Sequence, residues 1–367
     1  MEDFSHLKHV LAISLLYGVG NKKAKDLIAY CGSAEAVFSK NKHDLAQIPG
    51  IGKKGVSKLN FKEALIRAEE EMEKADKMNW NVYSYLGKKY PSRLKHCVDS
   101  PLILFSKGET NFDYAKTVSI VGTRNCTQYG KQIVDNLIAS FSQLNVQVIS
   151  GLAYGIDIYT HRACLKKEMS TIGVLAHGLD RLYPSQHTKT AMQMEERGGI
   201  LTEFLSGTNP DRENFPTRNR IVAGMSDATI VVESGEKGGS LITAYMANDY
   251  NRDVFAFPGD INKPYSKGCN DIIKKQKAHL ATSVEDILYL MNWSKEEDVG
   301  AIQTQLFTEF TAEEQEIADL LKENNDQSID EISGRLRKPV SELSALLLSM
   351  EFAGSIKSLP GKRYLLV

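Results

Sequence analysis

Six short runs rich in β-branched residues punctuate the middle of the chain: VSIVG (118–122), VQVISG (146–151), TIGVLA (171–176), GILTEF (199–204), ATIVVES (228–234) and DVFAFPG (253–259). Each ends in a turn, and most lead into a helical pattern. Parallel strands need a crossover of a dozen or more residues between them, and a helix supplies it. Strands covered on both faces read as continuous apolar runs, as these do, whereas half-exposed strands alternate. From about 82 to 289 the chain is therefore expected to build βαβ units around a parallel sheet.

The flanks differ from this middle. Residues 5 to about 78 read as short helices, among them the charged helix Lys62–Lys77. Two stretches there echo each other, LLYGVGNKKAKDLI (15–28) and LAQIPGIGKKGVSKL (45–59), each with glycine, an apolar residue and glycine ahead of lysines and a helix. Paired glycines let a turn expose backbone N–H groups at a helix start, where an anion is favoured. Lys22, Lys23, Lys53 and Lys54 are candidates for secondary phosphate contacts that read no sequence. Tight helix packing is the competing reason for the same glycines. The polar stretch NWSKEEDVGAIQTQLF (292–307) reads as a linker, and the last ~55 residues as three helices and a strand pair. The expected organisation is α/β overall. A SAM-like helical domain with tandem helix-hairpin-helix motifs spans 1–80, an extended Rossmann-like parallel-sheet domain 81–290, a linker 291–309 and a winged helix 310–367.

Charge divides along the same lines. Residues 1–109 carry 18 Lys+Arg against 13 Asp+Glu, residues 110–290 carry 19 against 19, and residues 291–367 carry 8 against 14. Anion binding is thus expected from the first two segments and not from the tail. The helix at the recognition position of the winged module, PVSELSALLLSMEFAG (339–354), holds Glu342 and Glu351 and no basic residue, which suits a protein contact better than DNA. Lys362 and Arg363 in the wing weigh weakly on the other side. Five scattered cysteines without a C-x-x-C pair suggest a reduced, cytoplasmic protein with no structural metal. No apolar run reaches the ~18 residues of a membrane span, and Glu2 and Asp3 ahead of a short apolar stretch do not read as a secretory signal.

The stretch VSIVGTRNCTQYGKQIVDNLI (118–138) has the strand, turn and helix of a nucleotide-binding fold without G-x-G-x-x-G. Its turn carries Gly122, Thr123 and Arg124, and no glycine follows until Gly130. In a parallel sheet, ligands gather outside the C-terminal strand ends. The loops expected there hold Gly122-Thr123-Arg124, Ser150-Gly151 with Gly155, Arg218-Asn219-Arg220 near a helix start, and Lys237-Gly238-Gly239-Ser240. The last runs into LITAYMAND (241–249), so its amides should meet a phosphate, with hydroxyls from Ser240 and Thr243 and a point charge from Lys237. Arg124 offers a fork of donors, and Lys267 is a further secondary candidate. Such a turn suits a phosphodiester on an extended strand better than a buried pyrophosphate. Arg218 and Arg220 have a competing role as ion-pair partners of Glu203 or Glu233. Asp157, His161 and His177 are read as structural hydrogen-bonding groups, and Cys126 and Cys164 as core cysteines.

Taken in order, VSIVGTRNCTQYG, VISGLAYGIDIYTHRACL (148–165), TIGVLAHGLDRLYPSQH (171–187), GGILTEF (198–204), NFPTRNRIVAGMSDATIVVESGEKGGSLITAYMA (214–247) and VFAFPGDINKPYSKGCNDII (254–273) resemble the DNA-processing protein A (DprA/Smf) family. KYPSRLKHCVDSPLILFSKGE (89–109) matches that family's lead-in, so the resemblance covers essentially the whole chain. It implies a protein that binds and protects single-stranded DNA in natural transformation, loads the RecA recombinase onto it, and forms a homodimer away from membranes. One departure is Gly238-Gly239-Ser240, where many relatives have Ser-Gly-Ser or Ser-Gly-Thr. Two enzyme classes compete. A dehydrogenase lacks its glycine fingerprint and the acidic residue after the second strand. The Arg-rich helix and Gly-Gly loop also resemble phosphoribohydrolases of the lysine-decarboxylase-like group, but 241–247 holds no carboxylate where that group has its catalytic glutamate. The reading is a binder with no catalytic residue and no cofactor.

Overall fold

The computed structural model describes residues 4–48, 50–293 and 310–366, the side chain of Lys53 lying outside the description. The expected linker falls, from residue 294, outside the described residues as well. Two units emerge, Met1–Met291 and Asn292–Val367.

Six helices open the first unit: α1 (Phe4–Ser14), α2 (Asn21–Cys31), α3 (Ala34–Ser39), α4 (Lys42–Leu45), α5 (Gly52–Val56) and α6 (Phe61–Lys77). Ser33, Asn41 and Asn60 cap α3, α4 and α6 by accepting from the amides of Ala36, Asp44 and Glu63, donors that a helix start would otherwise leave orphaned. The bundle shares one apolar core with the sheet, in which Leu11, Leu27 and Ala68 join Trp80, Ile103 and Phe105. Glu71 of α6 is fully buried and acts as a polar latch. It accepts from the amide (2.7 Å) and hydroxyl (2.6 Å) of Ser206 and from Arg67 (3.0 Å). A buried carboxylate is tolerated because those donors replace its hydration.

The sheet has nine strands: β1 (Asn81–Ser84), β2 (Ile103–Lys107), β3 (Lys116–Val121), β4 (Val146–Ser150), β5 (Thr171–Val174), β6 (Gly199–Thr202), β7 (Ala228–Val231), β8 (Asp253–Ala256) and β9 (His279–Leu280). Their spatial order is β1-β2-β6-β5-β4-β3-β7-β8-β9. All six runs singled out in the sequence are strands, β3 to β8, and they run parallel together with β9. The lead-in segment adds β1 and β2 as an antiparallel edge. The helices between and after these strands are α7 (Ser92–Lys95), α8 (Gln128–Phe141), α9 (Ile156–Lys166), α10 (Thr188–Met194), α11 (Asn214–Gly224), α12 (Gly239–Asp249), α13 (Lys267–Lys274) and α14 (Val284–Leu290). From β3 the chain steps outward through β4, β5 and β6, then returns to place β7 on the other side of β3. That reversal is the topological switch point, and it opens a crevice at the C-terminal ends of β3 and β7.

The second unit packs α15 (Ala312–Glu323), α16 (Ile329–Leu336) and α17 (Val340–Phe352) against β10 (Gln327–Ser328), β11 (Ile356–Leu359) and β12 (Arg363–Leu366). Thr311 and Ser328 form capping boxes with Glu314 and Glu331. Ile317, Ile332, Leu343, Leu347 and Met350 make its core. This is a winged helix. Its α17 keeps Leu348 (53% exposed) and Phe352 (84%) on the surface. The wing's Arg363 is paired with Asp326 (2.6 Å), which reduces the charge it has to offer.

Candidate functional site

The crevice is a cleft of about 290 Å³ whose walls include Gly122, Thr123 and Arg124 after β3, Gly151 and Ala153 after β4, Gly238 to Ser240 after β7, and Phe215, Arg218 and Asn219 of α11. The β3 turn is held from both sides. Thr123 donates its amide to Glu233 O (2.8 Å), and its carbonyl accepts from Ile156 N (3.1 Å) at the start of α9. Gly155 makes the second contact feasible, since it has φ +81° and any Cβ there would lie 2.1 Å from Thr123 O. Glu233 also accepts from the amide (2.9 Å) and hydroxyl (2.6 Å) of Thr127, so it secures the start of α8 and pairs with neither arginine. On this fixed turn Arg124 is exposed, its guanidinium 5.3 Å from the Phe215 ring. A cation over an aromatic face is preorganised without losing its donors.

Behind Arg124 lies a buried pair. Arg218 donates to Val174 O and, through Nε, to Asn219 Oδ1 (3.1 Å). Asp157 accepts from Ala153 N (3.4 Å). Both press on Gly151, where a Cβ would sit 2.2 Å from Asp157 Oδ2 and 2.6 Å from the Arg218 guanidinium nitrogens. Burial pushes the Asp157 carboxyl up and the Arg218 guanidinium down, and each charge opposes the other's shift. Asn219 bridges α11 to α12 by donating to Gly239 O (3.5 Å). Cleft walls from three loops and two helices are thereby tied into one frame.

Not every residue expected at the site faces the cleft. Ser150 is buried and donates its hydroxyl to Ile120 O (2.6 Å). Ser240 lines the cleft, yet its hydroxyl is directed to Ser234 Oγ (2.9 Å). Thr243 lines the floor. Arg218 and Arg220 lie inside α11, which begins at Asn214 with Pro216 in its first turn, and not beside its start. Arg220 is turned away from the cleft. It pairs with Glu203 and donates to Asp99 O (2.5 Å), a structural role of the kind the sequence left open. Lys237 is exposed on the rim. Lys267 is exposed ahead of Gly268, whose amide donates to Ser234 O (2.9 Å), which sets it beside the same loop. Lys22, Lys23 and Lys54 are exposed on the N-terminal bundle, while the side chain of Lys53 lies outside the described residues.

The two histidines of the polar cluster are hydrogen-bonded within the fold. His161 is fully buried, with Nε2 donating to Gly151 O (2.6 Å) and Nδ1 2.7 Å from the Thr171 hydroxyl. Burial lowers its pKa to about 4. His177 is satisfied by Gly178 O (2.9 Å) and Tyr183 N (3.2 Å). Cys164 is buried and its thiol is pushed up to about 12, which leaves no reactive thiolate. Phe215 is the wall residue not foreseen. The signal was present, because an aromatic three and four residues ahead of Arg218 and Asn219 shares their helical face.

A cleft at the switch point of a largely parallel sheet, with a cationic turn, glycine-walled loops and an aromatic wall, defines a Rossmann-like protein. Comparison with known proteins specifies it further. The family model for DNA recombination-mediator protein A matches residues 81–292, a DprA winged helix domain matches 304–362, and a SAM-like helix-hairpin-helix tandem matches 13–60. The chain belongs to the DprA/Smf family. It is 42% identical to the DNA processing protein DprA of Bacillus subtilis over 56% of this chain and 70% of that one. With the Smf protein of Escherichia coli it shares 34% identity over 74% of each. The structure is similar to DNA processing protein A of Streptococcus pneumoniae, with TM-score 0.66 and 30% identity over 79% of this chain and 98% of that one. It is also similar to DNA processing protein A of Helicobacter pylori, described for its single-stranded DNA binding mode, with TM-score 0.53 and 28% identity over 58% and 95%. Among the described residues no helix is long and apolar enough to cross a membrane.

Proposed function

We propose that the protein binds single-stranded DNA along this cleft and protects it during natural transformation. In this reading it acts in the cytoplasm as a homodimer and delivers the strand to the RecA recombinase. The observation that carries the reading is the pairing of Arg124 with Phe215 beside Arg218, on a frame held by backbone contacts. Cations meet phosphates, and an aromatic face accepts any unstacked base, which only a single strand offers freely. The Helicobacter pylori relative's description supports the same ligand.

A phosphoribohydrolase reading is disfavoured by α12, which carries no carboxylate between Gly239 and Asn248. The carboxylate on the cleft wall, Asp157, is engaged against Arg218 and Ala153. The deciding experiment is a titration of oligo(dT), the matching duplex and nucleoside monophosphates over a range of salt. The strand should bind tightest, with affinity falling steeply as salt rises because phosphate contacts release counterions. Equal affinity for strand and duplex through the cleft would refute the reading, as would release of free base that an Arg124 variant abolishes.

A further inference from the structure

Resting on the reading of the cleft as a strand-binding site, we infer that the buried Asp157 carboxylate matches the cleft to one internal phosphodiester. It thereby turns away terminal phosphates and free nucleotides, which carry a second negative charge. Among the described residues, the charged side chains lining the cleft are Arg124, Arg218 and Asp157. Two cations and one anion leave a single positive charge, which one phosphodiester neutralises. Lys237 stands outside this set on the exposed rim, where water and salt screen it.

Asp157 is poorly accounted for by the fold alone. The other deeply buried latch carboxylate, Glu71, accepts three hydrogen bonds of 2.7, 2.6 and 3.0 Å. Asp157 is 7% exposed, yet it accepts from Ala153 N at 3.4 Å, and the nearby Ser150 hydroxyl is committed to Ile120 O. So weakly compensated a buried carboxylate lowers stability. Its place in the first turn of α9 suits an acid, but an exposed one would serve that helix equally. Burial pushes its pKa up, while the Arg218 charge holds it down. Gly151 belongs to the same arrangement. Without its Cβ, Asp157 Oδ2 and the Arg218 guanidinium can close on one point, 2.2 and 2.6 Å from where that atom would lie. The chain thus brings a carboxylate up to its own anion site.

Attraction to the cleft grows in proportion to ligand charge, whereas the cost of leaving water grows with its square. A phosphodiester entering the cleft leaves it neutral. A doubly charged monoester meets about four times the dehydration cost for about twice the attraction, and it leaves an unmatched negative charge beside Asp157. The interior of a strand presents diesters alone. Strands are therefore held along their length, in preference to phosphorylated ends and to free nucleotides.

The test uses the full-length protein with fluorescent oligo(dT) bound. The strand is displaced by thymidine 5′-monophosphate or by its methyl ester, which differ by one charge at about pH 7.5. The ester should displace it at a concentration lower by about tenfold or more. Asp157→Asn should tighten the ester about threefold and the monophosphate by about the square of that factor, roughly tenfold, because attraction scales with charge. If that variant folds poorly, the unmodified protein decides. At about pH 5 the monophosphate gains a proton, and the two ligands should come within about threefold of each other. Equal displacement by both at about pH 7.5, an equal factor for both in the variant, or no displacement by either up to about 10 mM would overturn the inference. Those outcomes leave the cleft reading intact as long as oligo(dT) binds and Arg124→Ala weakens it. Failure of either of those two results would refute that reading instead.

Discussion

Arg220→Ala should behave as a folding lesion even though Arg220 belongs to an Arg-x-Arg motif of the kind that meets phosphates. Its side chain is 7% exposed and that of its partner Glu203 12%. Glu203 Oε1 already lacks a hydrogen-bond partner among the described residues, and burial pushes this carboxyl up. Removing the guanidinium strands a buried charge and frees the Asp99 carbonyl, which costs about 3–5 kcal/mol. At roughly 2–4 °C per kcal/mol for a unit of this size, the melting temperature should fall by about 10 °C. Adding Glu203→Gln removes the stranded charge and should recover about 1–2 kcal/mol, a coupling readable in a double-mutant cycle. The assay is differential scanning calorimetry of the four proteins, with oligo(dT) affinity measured well below the lowest transition. There Arg220→Ala should bind within about threefold of the parent. A variant that melts like the parent but loses the strand would show that Arg220 contacts DNA and that its pairing with Glu203 is incidental.

Arg124→Ala should do the reverse: an exposed residue on a turn held by backbone bonds, it should cost oligo(dT) affinity on the order of 1.5–3 kcal/mol, tenfold or more, with no change in melting temperature. His161 should make the protein acid-sensitive. Its folded pKa of about 4 lies below the ordinary 6.5, so the unfolded chain takes up a proton first. Stability present above pH 6.5 is then lost as pH falls towards 4, by roughly 3 kcal/mol at most, and His161→Gln should flatten that part of a stability-against-pH curve. Removing the residues after Met291 should leave oligo(dT) affinity within about threefold, because α17 presents Leu348 and Phe352 and carries Glu342 and Glu351 but no basic residue. Loss of most of the affinity would assign the winged helix a DNA contact.

Much of this molecule was legible in one dimension because its sheet is parallel. Six β-branched runs became β3 to β8, and the glycine- and arginine-bearing stretches 122–124, 150–155, 218–220 and 237–240 implied a shared crevice, since parallel strands all end on the same side. The repeated hairpins were equally readable, being a local pattern set by backbone geometry. The sequence by itself therefore determined the layers, the end of the sheet at which the cleft opens, and many of the residue types that line it. Only the tertiary structure decided which of those residues face the cleft. Arg218 and Arg220 are two positions apart on α11, hence on nearly opposite faces, and packing against β5 on one side and the Asp99 loop on the other sends one to the cleft wall and the other into a buried pair. Ser150 and Ser240 likewise spend their hydroxyls on Ile120 O and Ser234, partners 30 and 6 residues away. Hydrogen-bond satisfaction inside a packed core is a property of neighbours in space, and no spacing along the chain encodes it.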